Sequence, residues 1–414
     1  MRFFFKMAAA VPLVLTVGKK TYTWFGYTSE PQKKRPTWVE FYRDMAFCVS
    51  MRSKDPNLQV GCVIVHPESL KILSTGYNGF PPGTENTSKN WEKRTKDDLV
   101  VHAETNAVLL TGQTDLEGSI AFVTMYPCKE CAKMLIAKGI RKVYYLSFKD
   151  KYEESSALFE AANVWVTPLR RGEDATLKDF EDGLIQRVRF ILERVNLTGE
   201  PTGVYKALRE NTEELRSEDL LSPWPRELKD KILLDKWTHY FLFLALIAST
   251  RALKNHQGAI LIDSKTLKIS AISYNGYPRG VNNDEDDDSM QMSALENAIC
   301  LRLSEGRDFI AFSTHFPSLH EVKNLAQARV KRLYFIWPKT PDGENINEKA
   351  LQIMKDAGME VVPMDVPDLE KLEKAIRDTT GGLKRAEEGN KVPFSAWPSN
   401  LTDYDLQPKK PNRL

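Results

Sequence analysis

Short apolar runs of strand type alternate along this chain with stretches whose apolar residues return at helical spacing. Val60-Gly-Cys-Val-Ile-Val65 is one such run and Ala259-Ile-Leu-Ile262 is another; each predicts a strand. Each leads to a turn-rich segment, Thr75-Gly-Tyr-Asn-Gly-Phe-Pro-Pro-Gly83 in the first case and Ile272-Ser-Tyr-Asn-Gly-Tyr-Pro-Arg-Gly280 in the second. Each segment precedes a short helical pattern, Ala103 to Leu110 and Ala294 to Leu301, containing Asn-Ala and then a β-branched residue. Ile140-Arg-Lys-Val-Tyr-Tyr145 matches Val330-Lys-Arg-Leu-Tyr-Phe335, and both copies end with a helix and a strand near Pro168 and Pro363.

The chain is therefore an internal repeat of two units of about 130 residues. Both predict the order helix, strand, strand, helix, strand, helix, strand, helix, strand. Such alternation predicts an α/β layer structure with helices packed on a central sheet. The expected organisation is an N-terminal extension (1–36), a first unit (37–170), a charged helical linker (171–230), a second unit (231–368) and a C-terminal tail (369–414). The linker has a helical pattern around Phe180 to Val195, and Ser222-Pro-Trp-Pro225 punctuates the entry to the second unit. After Asp378 the tail is rich in Gly, Pro, Lys and Asn, which predicts a largely disordered end. Met1 to Lys20 carries Arg2 and Lys6, then an apolar stretch from Met7 to Val17 broken by Pro12. It reads as a targeting-like segment or as sequence ahead of a later start at Met7, and it is too short to span a bilayer. No other stretch is a membrane candidate.

Composition narrows the function class. An apolar fraction of 42% and a charged fraction of 28% are those of a soluble globular chain, and a net charge of +2 makes no case for a general grip on nucleic acid. The five cysteines include one close pair, Cys128 and Cys131. That usage argues against a disulfide framework and for metal or redox chemistry in a reducing compartment, cytoplasmic or nuclear.

The chemistry concentrates in two short motifs, His102-Ala-Glu104 and Pro127-Cys128-Lys-Glu-Cys131. Together they match the H-x-E…P-C-x-x-C signature of zinc deaminases. Zinc favours thiolate and imidazole ligands, and a catalytic site keeps three protein ligands and one open position. His102, Cys128 and Cys131 supply three. A C-x-x-C at the start of a helix sets both sulfurs near free backbone N–H groups, which favours thiolates. Glu104 lies two residues from His102 and shares its pocket only if His102 begins the helix. Glu104 is then the proton carrier at a water whose pKa the metal brings to about 7, taking the water proton, passing it to N3 and assisting loss of ammonia from C4. A structural zinc would need a fourth Cys or His, and the first unit offers only His66, beside Pro67. A thioredoxin-like pair would not require His-x-Glu upstream.

Arg52-Ser-Lys-Asp-Pro-Asn57 with Val60-Gly61, then Gly76-Tyr-Asn-Gly79, His102-Ala-Glu104 and Pro127-Cys-x-x-Cys131, resemble the deoxycytidylate (dCMP) deaminases in that order. The resemblance runs roughly from Trp38 to Pro168. It implies two cytidine deaminase-like three-layer α/β/α domains in tandem, each a mixed sheet flanked by helices. It also implies hydrolysis of dCMP to dUMP, a Zn2+ cofactor, oligomers, and dCTP and dTTP as effectors. It makes His102, Cys128 and Cys131 the ligands and Glu104 the proton shuttle. It assigns Asn78 to a nucleotide sugar and its loop, with Gly79, to the substrate or effector site. Lys54 and Arg52 are candidate phosphate contacts.

In the second copy, Ser293, Leu295, Ser318 and Glu321 align with His102, Glu104, Cys128 and Cys131. Every ligand and the shuttle are replaced, so this unit is expected to be catalytically dead. His315 and His320 lie close by but make a poor zinc site without thiolates. Its Asn275-Gly276 loop survives, either to preserve a turn, as a regulatory nucleotide site, or because the unit pairs with the first as an internal dimer. The acidic run Asp284 to Asp288 reads as a solvated loop. Two other activities compete: a deaminase of dCTP or another free cytosine nucleotide, and a polynucleotide deaminase, which would usually show basic or aromatic strand-binding surfaces.

Overall fold

The sequence supplies both halves of a capping box at Thr37 and Glu40, and helix α1 (Trp38–Ser50) starts there. The Thr37 hydroxyl accepts from the Glu40 N–H, and the Glu40 carboxylate accepts from the Thr37 N–H at 2.7 Å. α1 belongs to a computed structural model that describes residues 13–17, 20–24, 35–111, 116–149, 152–170, 176–195, 237–277, 291–303, 307–336 and 348–388. These fall into two units, Met1–Arg35 and Pro36–Leu414. In the smaller, β1 (Leu13–Val17) and β2 (Lys20–Trp24) form an antiparallel hairpin, within the extension whose composition suggests targeting.

The larger unit holds both repeats. After α1 come β3 (Gly61–Val65), β4 (Ile72–Tyr77), α2 (Lys93–Leu99), α3 (Ala103–Leu110), β5 (Ile120–Met125), α4 (Lys129–Ala137), β6 (Lys142–Ser147), α5 (Glu153–Ala161), β7 (Trp165–Pro168) and α6 (Leu177–Val195). The second copy runs α7 (Trp237–Ser249), β8 (Gly258–Asp263), β9 (Ile269–Tyr274), α8 (Ala294–Leu301), β10 (Phe309–Ser313), α9 (Leu319–Gln327), β11 (Val330–Ile336), α10 (Glu348–Asp356), β12 (Glu360–Met364) and α11 (Leu369–Glu387). The first sheet has the order β4-β3-β5-β6-β7 and the second the equivalent order β9-β8-β10-β11-β12. In each, the first two pairings are antiparallel and the last two parallel, so both are the mixed five-stranded sheets expected.

The alternation of strand side chains sorts the core into three clusters. In β3, Cys62 and Ile64 face α3 and α4, with Ala103, Ala107 and Leu135. Val63 and Val65 face the other way, toward α1. Ile260 and Ile262 of β8 face the same central cluster from the second sheet, whereas Ala259 and Leu261 pack on α8 and α9. One apolar layer containing α1, α6, α7 and α11 therefore serves both sheets. An aromatic ladder crosses it from each side. Tyr42 meets Phe122 at 5.0 Å and Phe122 stacks on Tyr144 at 4.8 Å; Phe241, Phe312 and Tyr334 repeat this at 5.1 and 4.8 Å.

The tail expectation is corrected. Residues 369–387 form α11, begun by Asp368, whose side chain accepts from the Lys371 N–H. Leu372, Ile376 and Leu383 are buried in the central layer at helical spacing. Gly381-Gly382, which suggests a break, is instead a close approach: a Cβ at Gly382 would lie 2.9 Å from the Asn57 carbonyl oxygen. The predicted linker helix is present as α6. Residues 196–236, the acidic run 284–288 and the tail from 389 onward lie outside the described residues. Among the described residues, no helix is long and apolar enough to cross a membrane.

Because Ile376 lies in the shared layer, Ile376→Ala is expected to destabilise the chain by about 2–5 kcal/mol, measured by urea unfolding. A disordered tail would give no change.

Candidate active site

Two helix starts converge to make this site. His102 is the N-cap of α3 and Cys128 the N-cap of α4, both with extended backbone that turns the side chain across the helix end. Neither side chain makes a capping hydrogen bond, so each is left for another partner. Pro127 precedes Cys128, and Cys131 follows in the first turn of α4. The Cys128 and Cys131 sulfurs each lie 3.4 Å from His102 Nδ1. A tetrahedral zinc at ordinary bond lengths sets its nitrogen and sulfur donors about 3.5 Å apart, so the donor set fits that ion. Among the described residues, His102, Cys128 and Cys131 are the group whose donor atoms converge, all within 4.8 Å of one another. His102 and Cys128 are open to solvent and Cys131 is buried, which gives the site a floor and an open side.

The electrostatics favour a cation. Hydrogen bonding with Cys131, then with His102, pulls the Cys128 thiol down to about 3 despite burial. The hydrogen bond to Cys128, followed by burial, pushes the Cys131 thiol up, so without a cation the pair shares a proton. The Cys128 hydrogen bond and the Glu104 charge raise His102 to about 8 against its burial. Glu104 is 4% exposed, and burial holds its carboxyl above the ordinary range while the nearby His102 charge opposes that. It is a buried base on the first turn of α3, beside the donors.

A signal that the motif does not contain sets the depth of α3. A Cβ at Gly76 would lie 2.3 Å from both the Ala103 carbonyl oxygen and the Ala107 nitrogen, so only glycine lets the helix come this close to β4. Asn106 then ties the helix to the strand by donating to the Tyr77 carbonyl at 2.8 Å, as Asn297 does to Tyr274 at 2.9 Å. That tie accounts for the Asn-Ala pair common to both repeats.

The loop residues are placed less simply. Gly79 exchanges backbone hydrogen bonds with Val101, directly before His102. Asn78 is buried and its amide is engaged: Oδ1 accepts from the Val60 N–H at 2.7 Å, and Nδ2 donates to Asp55 and to the Leu58 carbonyl. It braces the loop and does not extend toward open space. Arg52 and Lys54 are not exposed cations either. Arg52 is 1% exposed with its guanidinium over the Trp237 ring, and Lys54 is largely buried, its pKa lowered to about 8 by desolvation and then by Arg52. Asp55, Ser53 and Lys96 were not expected at the site. Asp55 joins Asn78 to Lys96, whose Nζ lies 2.5 Å from its carboxylate, and Ser53 donates to the Asn78 carbonyl at 2.8 Å. Ser53 and Asp55 lie within the Arg52–Asn57 motif but had no role assigned to them from the sequence, and Lys96 lies outside every motif.

In the second copy, serines occupy the two helix starts. Ser293 and Ser318 are the N-caps of α8 and α9, and each closes a capping box, with Glu296 and Glu321. Glu321, aligned with Cys131, also accepts from His315 at 2.9 Å. Burial alone would raise its pKa, but the His315 hydrogen bond and charge outweigh this and hold it down to about 2. Asn275 repeats the Asn78 brace, accepting from the Gln257 N–H and donating to the Lys254 carbonyl, and Gly276 pairs with Met292.

Known proteins resemble the first repeat. The family described as the cytidine and deoxycytidylate deaminase zinc-binding region matches residues 36–147. The deoxycytidylate deaminase of Pongo abelii is 40% identical over 139 residues, 31% of this chain and 76% of that protein. That of Homo sapiens is 41% identical over 124 residues, 28% of this chain and 68% of the human protein. Among solved structures, the dCMP deaminase of cyanophage S-TIM5 in complex with dCMP and dUMP is 27% identical, covering 31% of this chain and 94% of its own, with a TM-score of 0.27.

The Glu321 carboxylate is bound more tightly folded than unfolded, so its contribution is full above about pH 4.5 and is lost as pH falls toward 2. Glu321→Gln, which removes a charge-assisted hydrogen bond to His315, is therefore expected to cost about 1.5–3 kcal/mol at pH 7. Unfolding titrations at pH 7 and pH 3 check this, with the gap between the two proteins narrowing at the lower pH.

Proposed function

The chain belongs to the deoxycytidylate deaminase family, and from that membership we propose that its first repeat hydrolyses dCMP to dUMP and ammonia, with Glu104 moving the protons and the second repeat non-catalytic. The observation that carries this is the convergence of His102, Cys128 and Cys131 around an open side, with a buried Glu104 beside them. His102, Cys128 and Cys131 would hold zinc, which when bound would lower the pKa of a water to about 7 and so make it a nucleophile for C4 of the cytosine ring. Glu104 takes the water proton and delivers it to N3. It then takes the remaining proton from the C4 hydroxyl and gives it to the amine, so that the C4–N bond breaks, ammonia leaves and the C4 carbonyl remains. Its raised pKa, a consequence of burial, suits a group that must both accept and return a proton near neutrality.

The Gly76–Gly79 turn, fixed against Val101, supports a binding edge beside the metal. Asn78 contributes to that edge by bracing it, and Gly79 through its backbone. Lys54 is proposed as the phosphate contact, with Arg52 behind it as a buried support. A near-neutral net charge favours a free nucleotide over a polynucleotide. Free thiols at Cys128 and Cys131 support a reducing setting, cytoplasmic or nuclear. dCTP and dTTP are the effectors to test. The shared central layer supports reading the second repeat as the internal partner of the first, an intrachain pseudo-dimer; the engagement of Asn275 in its own loop gives its turn a structural role.

Ammonia release by the zinc-loaded chain should favour dCMP over dCTP, deoxycytidine and a cytosine oligonucleotide, each assayed with and without dCTP or dTTP. Turnover of the oligonucleotide alone would overturn the substrate class. Glu104→Ala should lower kcat by at least about 100-fold with zinc content unchanged, because Glu104 is not a ligand; loss of metal would show its role to be misassigned. If Lys54 holds the phosphate as an ammonium, KM for dCMP should rise as pH passes 8, and Lys54→Met should raise KM at pH 7 and flatten that profile.

A further inference from the structure

We propose that the second repeat acts as a positioning partner for the active site: Trp237 on α7, together with the last turns of α11, holds the segment Arg52–Gln59 in the shape that the substrate loop requires. This rests on the deaminase reading of the first repeat and adds to it the residues of the other half on which the site depends.

The segment is one hydrogen-bonded body. Asp55 Oδ1 accepts from the Asn57 and Leu58 N–H groups at 2.9 and 3.2 Å, and its other oxygen accepts from Asn78 Nδ2 and pairs with Lys96. Gln59 Nε2 donates to the Ser53 carbonyl at 3.0 Å, closing the segment on itself. Asn78 is thus locked to it, and Gly79 carries the lock to Val101, the neighbour of His102. Any displacement of Arg52–Gln59 is felt at the metal-proximal edge.

The outer side of this body rests on the second half of the chain. The Arg52 guanidinium carbon lies 4.3 Å from the centre of the Trp237 ring, and the residue is 1% exposed, so the indole face replaces water for a buried cation. From α11, the Thr379 hydroxyl donates to Gln59 Oε1 at 2.6 Å and Arg385 donates to the Asn57 carbonyl at 3.2 Å. Between them Gly382 brings the helix backbone against the same carbonyl. The stack has a twin: Arg251 lies 4.1 Å over Trp38, so the two repeats exchange equivalent contacts as the halves of a two-fold dimer do. Only one of the twins lies behind a segment that leads to a metal-binding motif. Trp237 is therefore a positioning residue, and Trp38 provides its matched control.

The test uses the full zinc-loaded chain carrying Trp237→Ala, Trp237→Phe, Trp38→Ala or Gly382→Leu. Positioning predicts that Trp237→Ala and Gly382→Leu raise KM for dCMP at least tenfold with zinc content and fold retained. Trp237→Phe, which keeps a ring face under Arg52, recovers most of the loss, and Trp38→Ala leaves KM within twofold. Backbone hydrogen exchange at Asn57 and Leu58 should quicken in Trp237→Ala and not in Trp38→Ala. That readout needs no turnover, so it judges the positioning role even if the wild-type chain fails to deaminate dCMP. An unchanged KM and unchanged exchange in folded Trp237→Ala would overturn the proposal. So would equal losses in Trp237→Ala and Trp38→Ala, which would make the stacks simple interface packing.

Discussion

The packing of α1 against α7 in one apolar layer is the contact on which both sheets depend. Each helix packs on its own sheet and on its twin, in a cluster that also takes in α6 and α11. All of Thr238 to Ser249 on α7 except His239 are buried, a pattern that no surface helix of a free-standing domain would tolerate. Neither half has a complete core without the other. The repeat is therefore better described as two sheets built outward from a common centre than as two domains joined by a linker.

Much of this was legible in the residues. The order of elements follows from the alternation of strand-type runs and helical patterns, and the metal ligands from residue type and spacing. The helix starts at His102 and Cys128 follow from the need to bring two motifs into one pocket. Less legible were features whose cause lies far along the chain. Arg52 and Lys54 read as surface cations because nothing local announces that Trp237, on a helix of the other repeat, will cover them. Asp55 and Ser53 stand in the Arg52–Asn57 motif with no role of their own assigned, although they organise the loop that holds Asn78. The end of α11 was obscured by its two glycines, which are there because another backbone passes close by. In each case burial is decided by a partner distant in sequence, and local pattern carries no record of it.

The two copies also show two ways in which the same pair of helix starts can be occupied within one layer arrangement. The vacated helix starts need acceptors for their first N–H groups, and serine supplies these at both positions, joined by glutamates three residues on. Where two thiolates and an imidazole would have faced a cation, Glu321 and His315 now satisfy one another. At the position of Gly76 stands Ser273, whose hydroxyl donates to the Ala294 carbonyl, so a polar contact fills the space that close approach requires in the first copy. The residues at these positions form one consistent set, with both helix starts closed by protein partners.

Those serine caps bear on how the chain behaves when metal is scarce. A site whose ligands sit at helix starts links metal supply to folding, because the ligand side chains lose their common partner when the ion is withdrawn. Here that dependence is confined to one half. The other half keeps its helix starts closed at any metal concentration, and through the common centre it holds α1 and β3 in place. Starvation would then open a pocket without dismantling the protein, and recovery would require only ion capture by a scaffold already formed. Where zinc supply fluctuates, the copy with serine-closed helix starts would act as a reserve of shape, letting the copy with the metal-binding group be emptied and refilled.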